Sequence, residues 1–284
     1  THSIREIFAF SFWVFVSNIV GQIYSATDTV IIGAIPSLAT IGAAVYSIGS
    51  TFTNIIFSLA QIAPGFFAPR VTRMVFANCG NDQLTDLMIL SGRMQGFIVS
   101  LVCSGFIAFG MPFLHCYVGP GYEESYWVAV AVIIPNCIPL VQSVAHSVLQ
   151  AKNMHQFRSK MYLGIALLNV VGTLLLTRRF GVIGVAIPTG AAYLLGHGFI
   201  MNWYYWKKIG LDIPKFWKNL LPIFMVAAIV CGITLLISNW ISFYNWRNLF
   251  AGIACYSVIY LIALWFFILN ENEKNTIMRF FKRT

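Results

Sequence analysis

The sequence predicts an all-α integral membrane protein with about eight transmembrane helices, and three observations carry that prediction. The chain of 284 residues is 58% hydrophobic and only 10% charged, whereas a soluble domain carries about 25% charged residues. Its mean hydropathy is +0.77. Its apolar runs, at roughly 1.5 Å per helical residue, are long enough to cross a hydrocarbon core of about 30 Å. A segment in lipid must satisfy its own backbone hydrogen bonds, so each run should be helical. The length and continuity of the runs exclude a β-barrel.

The spans are expected at about 7–33, 41–63, 88–113, 125–149, 159–177, 182–206, 217–238 and 247–270. In the first, Ser11, Asn18, Gln22, Ser25 and Thr29 recur at helical spacing and share one face, with Asp28 beside it near the far end. The second repeats the pattern with Ser47, Ser50, Asn54, Ser58 and Gln61. The third carries Arg93 just inside its start, where it could snorkel to the interface. The fourth places Asn136, Ser143, His146 and Gln150 along one path, and Pro135 and Pro139 should kink it. The fifth offers Asn169 and Thr173; the sixth has Thr189, Tyr193 and His197 at i, i+4 and i+8. Gly181, Gly184, Gly190, Gly196 and Gly198, at the start and on the face of the sixth, read as positions of close helix approach. The last two spans are almost wholly apolar and should be peripheral.

Lipid does not tolerate polar stripes, so these faces should look at protein or water. A single Ser or Thr in such a helix ordinarily bonds its own i−4 carbonyl or joins neighbouring helices. The argument for a cavity is the recurrence of aligned stripes in several helices. The candidate path residues are Asn18, Gln22, Ser25, Asp28, Asn54, Ser58, Gln61, Arg93, His146, Asn169, Tyr193 and His197.

Charge gives an orientation. Of the 18 Lys and Arg residues, 15 fall on one side of this topology, and only Arg178, Arg179 and Arg247 fall on the other. The rich side should be cytoplasmic, with both termini of this chain there. The net charge of +9 is distributed in short clusters between spans, which argues against nucleic acid as a partner. Cys103, Cys137, Cys231 and Cys255 lie inside apolar spans, where cysteine behaves as a small hydrophobe. No CxxC pair or Cys/His ligand spacing supports a metal, and no cofactor is expected. No secretory signal peptide is readable. The chain begins at Thr1, and we expect it to be the C-terminal part of a longer protein.

Residues 118–192 resemble the second half of a polysaccharide flippase of the Wzx type, in the MATE/MOP (MviN-like) superfamily. The likeness is carried by Gly119 and Tyr122 ahead of the fourth span, SVLQAKNMHQ after it, Asn169 within LLNVVGTLLL, and FGVIGVAIPT at 180–189. ATDTVIIG at 26–33 and APRVTRM at 68–74 resemble two further points of a six-helix lobe. The resemblance implies one six-helix C-terminal lobe over 1–206, then two additional helices and a basic tail over 207–284, with an N-terminal lobe outside this chain. It implies no enzyme but a transporter in the bacterial cytoplasmic membrane. The expected cargo is an undecaprenyl-pyrophosphate-linked oligosaccharide, flipped by alternating access for surface polysaccharides such as lipopolysaccharide O-antigen. Polysaccharide assembly machinery would be a further partner. The Asn, Gln and Ser stripes with Tyr24 and Tyr193 would meet sugars, and Arg93, Arg70 and Arg73 would be candidates for the pyrophosphate. A cation-coupled multidrug efflux pump of the same superfamily is the alternative. A membrane glycosyltransferase or polymerase is a second, but the outer loops are short, and Glu123 and Glu124 offer little for chemistry.

Overall fold

The computed structural model describes residues 11, 12, 15, 19, 27–35, 40–60, 64–154, 156–271, 273–275 and 278. It is an all-α integral membrane protein. Helix α1 covers 27–34, and is followed by α2 (Ile41–Ala60), α3 (Pro64–Phe76), α4 (Asn81–Val118), α5 (Glu124–Val141) and α6 (Ser143–Ala151). Then come α7 (Gln156–Phe180), α8 (Ile183–Ile209), α9 (Ile213–Ile237) and α10 (Trp246–Phe267). Among the described residues, seven helices (α2, α4, α5, α7, α8, α9 and α10) are long and apolar enough to cross a membrane. Most of the expected first span lies outside the described residues.

Three stretches differ from expectation for physical reasons. APRVTRM belongs to a helix of its own, α3, whose exposed Arg70 and Arg73 keep it at the interface. The third span is the core of a 38-residue helix, α4, because the polar turn Asn81–Asp86 is also helical. At 1.5 Å per residue this helix, about 57 Å long, outreaches the bilayer. The fourth span is divided at Gln142 into α5 and α6. Pro139 has no amide hydrogen to continue the ladder, and the Gln142 N–H turns back to its carbonyl at 3.3 Å.

The α2–α3 and α5–α6 pairs end alike. Asn78 and Asn153 both take left-handed backbone at φ 53°. The amides three residues beyond each short helix, Cys79 and Met154, bond back to the Met74 and Leu149 carbonyls at 3.0 Å. This is the Schellman arrangement, in which asparagine substitutes for the usual glycine. The two short helices pack on one another.

The helices close on four apolar clusters. One gathers Leu84, Met88, Val148, Leu149, Met201 and Phe216 at the basic end. A second, around Phe109, Ile223, Leu249 and Tyr260, fastens α9 and α10 to α4. The last pair is less simply greasy than its sequence reads. Tyr260 Oη lies 2.6 Å from Ser100 Oγ and donates to the Phe97 carbonyl at 3.0 Å, while Tyr256 Oη donates to Ser104 Oγ at 2.5 Å. The remaining two clusters join α1, α2, α5 and α8, and α2, α4 and α5. A side chain on Gly190 would meet the Ala131 carbonyl oxygen, and one on Gly184 the Leu176 carbonyl. These glycines let α8 touch α5 and α7 backbone to backbone.

Candidate functional site: a two-chambered polar cavity

The polar faces of α2, α5, α6, α7 and α8 meet along a cavity of two chambers. The first, about 260 Å³, is walled by Asp28, Tyr46, Asn54 and Thr189, among others. The second, about 360 Å³, is walled by Asn136, Gln142, His146, Arg158, Tyr162 and His197, among others. Phe57 and Tyr193 belong to both walls, so the chambers adjoin. No residue of α9 or α10 lines either one.

Asp28 closes the first chamber and is 1% exposed. Tyr46 Oη donates to its Oδ2 at 2.7 Å and Thr189 Oγ1 at 3.0 Å. Thr189 also lies 3.4 Å from Asn169 Oδ1, which accepts from Thr173 Oγ1 at 3.3 Å. Among the described residues Asp28 Oδ1 and Asn169 Nδ2 find no hydrogen-bond partner. A carboxylate taken out of water without a countercharge is costly, so this oxygen pair is the natural place for a proton or cation. Among the described residues no group of three His, Cys, Asp or Glu side chains gathers as a metal cluster.

The second chamber holds a chain of polar contacts at the basic end. Arg158 Nη1 donates to His146 Nδ1 at 2.6 Å and also touches Nε2 of that ring. Its Nη2 donates to Tyr162 Oη at 2.7 Å, and its guanidinium lies 4.8 Å from the centre of the Tyr162 ring. Tyr162 Oη is 2.9 Å from His197 Nε2, and the His197 ring stacks on Tyr193 at 5.9 Å. Among the described residues no carboxylate pairs with Arg158. A guanidinium held by neutral partners keeps its charge for an anionic ligand.

The structure brings together Asp28, Asn54, His146, Tyr193 and His197 on the cavity wall, with Asn169 buried directly behind Asp28. Asn18, Gln22, Ser25 and Gln61, with Tyr24, lie outside the described residues. Ser58 is exposed and donates to the Asn54 carbonyl at 2.9 Å, so its hydroxyl is spent on its own helix. Arg93 stands apart from the cavity. Its Nε and Nη2 donate to the two Glu273 oxygens at 2.8 Å, and its Nη groups reach the Asn219 and Ile268 carbonyls at 3.1 and 2.9 Å. A guanidinium so fully engaged fastens the end of the chain to α4 and α9 and does not face the chambers. Arg70 and Arg73 are exposed on α3 and line neither chamber.

Sequence reasoning overlooked Arg158, Tyr162 and Tyr46. Arg158 was absorbed into the interfacial positive charge, although its i, i+4 spacing from Tyr162 puts both on one helical turn face. Tyr46 continues the second stripe, four residues before Ser50 and eight before Asn54.

With this geometry in place, comparison with known proteins adds one finding. Residues 1–127 match the family model described as polysaccharide biosynthesis protein. The match runs from the start of the chain to the first turn of α5, so it includes Asp28, Tyr46 and Asn54 and stops short of Arg158 and His197. No curated protein and no solved structure gives a match.

Proposed function

We propose that the chain forms part of a transporter that flips an undecaprenyl-pyrophosphate-linked oligosaccharide across the bacterial cytoplasmic membrane, by alternating access, for surface polysaccharide assembly. The observation that carries this reading is the cavity itself: amides, hydroxyls and aromatic faces along its wall, with a guanidinium at its basic end that pairs with no carboxylate among the described residues. Sugar rings take hydroxyl, amide and stacking partners, and a pyrophosphate takes Arg. Arg158 then replaces Arg93 as the residue that meets the pyrophosphate, and the basic end faces the cytoplasm. The similarity of residues 1–127 to polysaccharide biosynthesis proteins supports the same pathway. In this reading an N-terminal lobe completes the cavity from the other side.

Asp28 favours a second reading, a cation-coupled efflux pump, because a buried acid with one oxygen unpaired among the described residues suits coupling to a cation. A glycosyltransferase fits less well. The outer acid Glu123 is spent on its loop, where its oxygens accept from the Gly121 amide at 3.1 and 3.2 Å. Backbone hydrogen bonds, its own first and then that of Gly121, hold its carboxyl below the usual range.

The test is export of surface polysaccharide by the full-length protein. Charge-assisted hydrogen bonds to a phosphate are worth about 1.5–3 kcal/mol, so Arg158→Ala should weaken engagement about tenfold to a hundredfold and impair export at normal membrane levels. Arg158→Lys should retain part of it. Undiminished export in Arg158→Ala, or resistance to cationic drugs that depends on Asp28, would move the assignment to efflux.

A further inference from the structure

One side chain in α8 is used to capacity and lines neither chamber. Asn202 Nδ2 donates to the His197 carbonyl at 3.0 Å and the Gly198 carbonyl at 2.8 Å. Its Oδ1 accepts from Gln142 Nε2 at 2.6 Å and from Trp217 Nε1 at 3.2 Å. An asparagine offers two donor hydrogens and an acceptor oxygen with two lone pairs, and all are engaged here.

The positions it joins are unusual. His197 and Gly198 lie in the π-helical segment Leu194–Met201, and the Asn202 side chain occupies carbonyls just where the α-helical ladder has slipped. Gln142 is the residue at which α5 breaks from α6, and it lines the second chamber. Trp217 belongs to α9, which lies outside the cavity walls. One carboxamide therefore ties the helix break and the slipped segment together, and anchors both to the peripheral helix.

We propose that Asn202 is a positioning residue for the cavity: by holding the His197 and Gly198 carbonyls it sets the π register that aims the His197 ring at Tyr162. A regular α-helical register would turn residues before Asn202 about the helix axis and take the ring off Tyr162 Oη and the Tyr193 face. The inference rests on the cavity reading above, in that His197 matters because it forms the wall.

The experiment is diethylpyrocarbonate labelling of the full-length protein in membranes, with modification of each histidine read by mass spectrometry. His197 is 5% exposed and should label slowly in the wild type. Asn202→Leu, close in size but without hydrogen bonds, should raise His197 labelling about tenfold, the scale of one or two lost bonds. His115, in the last turn of α4 and edge-on to the Tyr244 ring, should label as before. Trp217→Phe, which removes only the bond from α9, should leave His197 near its wild-type rate. If Asn202→Leu does not reach the membrane, Asn202→Ala is read by the same criteria. Unchanged His197 labelling overturns the proposal. So does an equal rise at His115, which is general unfolding, or an equal rise in Trp217→Phe, which is loosened packing. No substrate enters the assay, so its failure leaves the export reading to be judged by Arg158→Ala.

Discussion

Arg93 and Arg158 carry the same charge in opposite circumstances. Arg93 is 7% exposed and satisfied by a carboxylate and two carbonyls, whereas Arg158 is half-buried among a histidine and a tyrosine. The first is a fastening and the second is available. Replacing Arg93 by alanine should leave Glu273 unpaired and cost about 3–5 kcal/mol, read as a lower melting temperature in detergent. Glu273 makes the fastening pH-dependent. Burial works to raise its carboxyl, but hydrogen bonds from Arg93 and from the Asn270 amide outweigh it and leave the group below its ordinary 4.5. A carboxyl lowered on folding contributes its full stabilisation above that ordinary value and loses it as pH falls through the folded one. Melting temperature should therefore be flat with respect to this group above about pH 5 and fall below pH 4.5. Glu273→Gln should remove that acid limb.

At the scale of helices, close approach and hidden hydroxyls decide the packing. Gly190→Leu would drive a side chain into the Ala131 carbonyl and separate α8 from α5. Overpacking of this kind costs about 1–3 kcal/mol and should lower both membrane yield and melting temperature. Tyr260→Phe keeps the ring in its apolar cluster but removes the contact with Ser100 Oγ, which still donates to the Gly96 carbonyl, and frees the Phe97 carbonyl, at a cost of about 1 kcal/mol. The spans from Ile41 onward were legible because an apolar run long enough to cross lipid has few other uses. Helix α3 was not, since Arg70 and Arg73 make its sequence read as a loop junction. The division at Gln142 was half legible: Pro135 and Pro139 announce a kink, but only tertiary packing selects where the ladder opens. The π segments of α8 left no trace in the sequence: the Asn202 bonds to the His197 and Gly198 carbonyls are local, but the Gln142 and Trp217 partners that orient its carboxamide lie elsewhere in the fold. The pairing of Arg93 was not legible either: its partner Glu273 lies 180 residues away, beyond any local pattern.

For the molecule as a whole, the hydrophilic flanks of five long or paired helices face a common void, and α9 and α10 stand outside it. The void extends from Asp28 to Arg158, joined at Phe57 and Tyr193, so its two ends differ in chemistry: among the described residues, one holds an acid with an unpartnered oxygen and the other a cation without a carboxylate. On the proposed function, that polarity would meet a cargo with a charged head and an uncharged sugar body. The claim beneath it is that the cavity holds water within the membrane. Cysteine substitution in the full-length protein, with the native cysteines replaced, tests this directly through reaction with a membrane-impermeant thiol reagent added to both faces. The account predicts that cysteines at Asn54, His146 and Tyr193 react readily, while cysteines at the outward-facing Leu168 and Leu175 stay unreactive. Equal reactivity at the two sets, or none at the first, would contradict it.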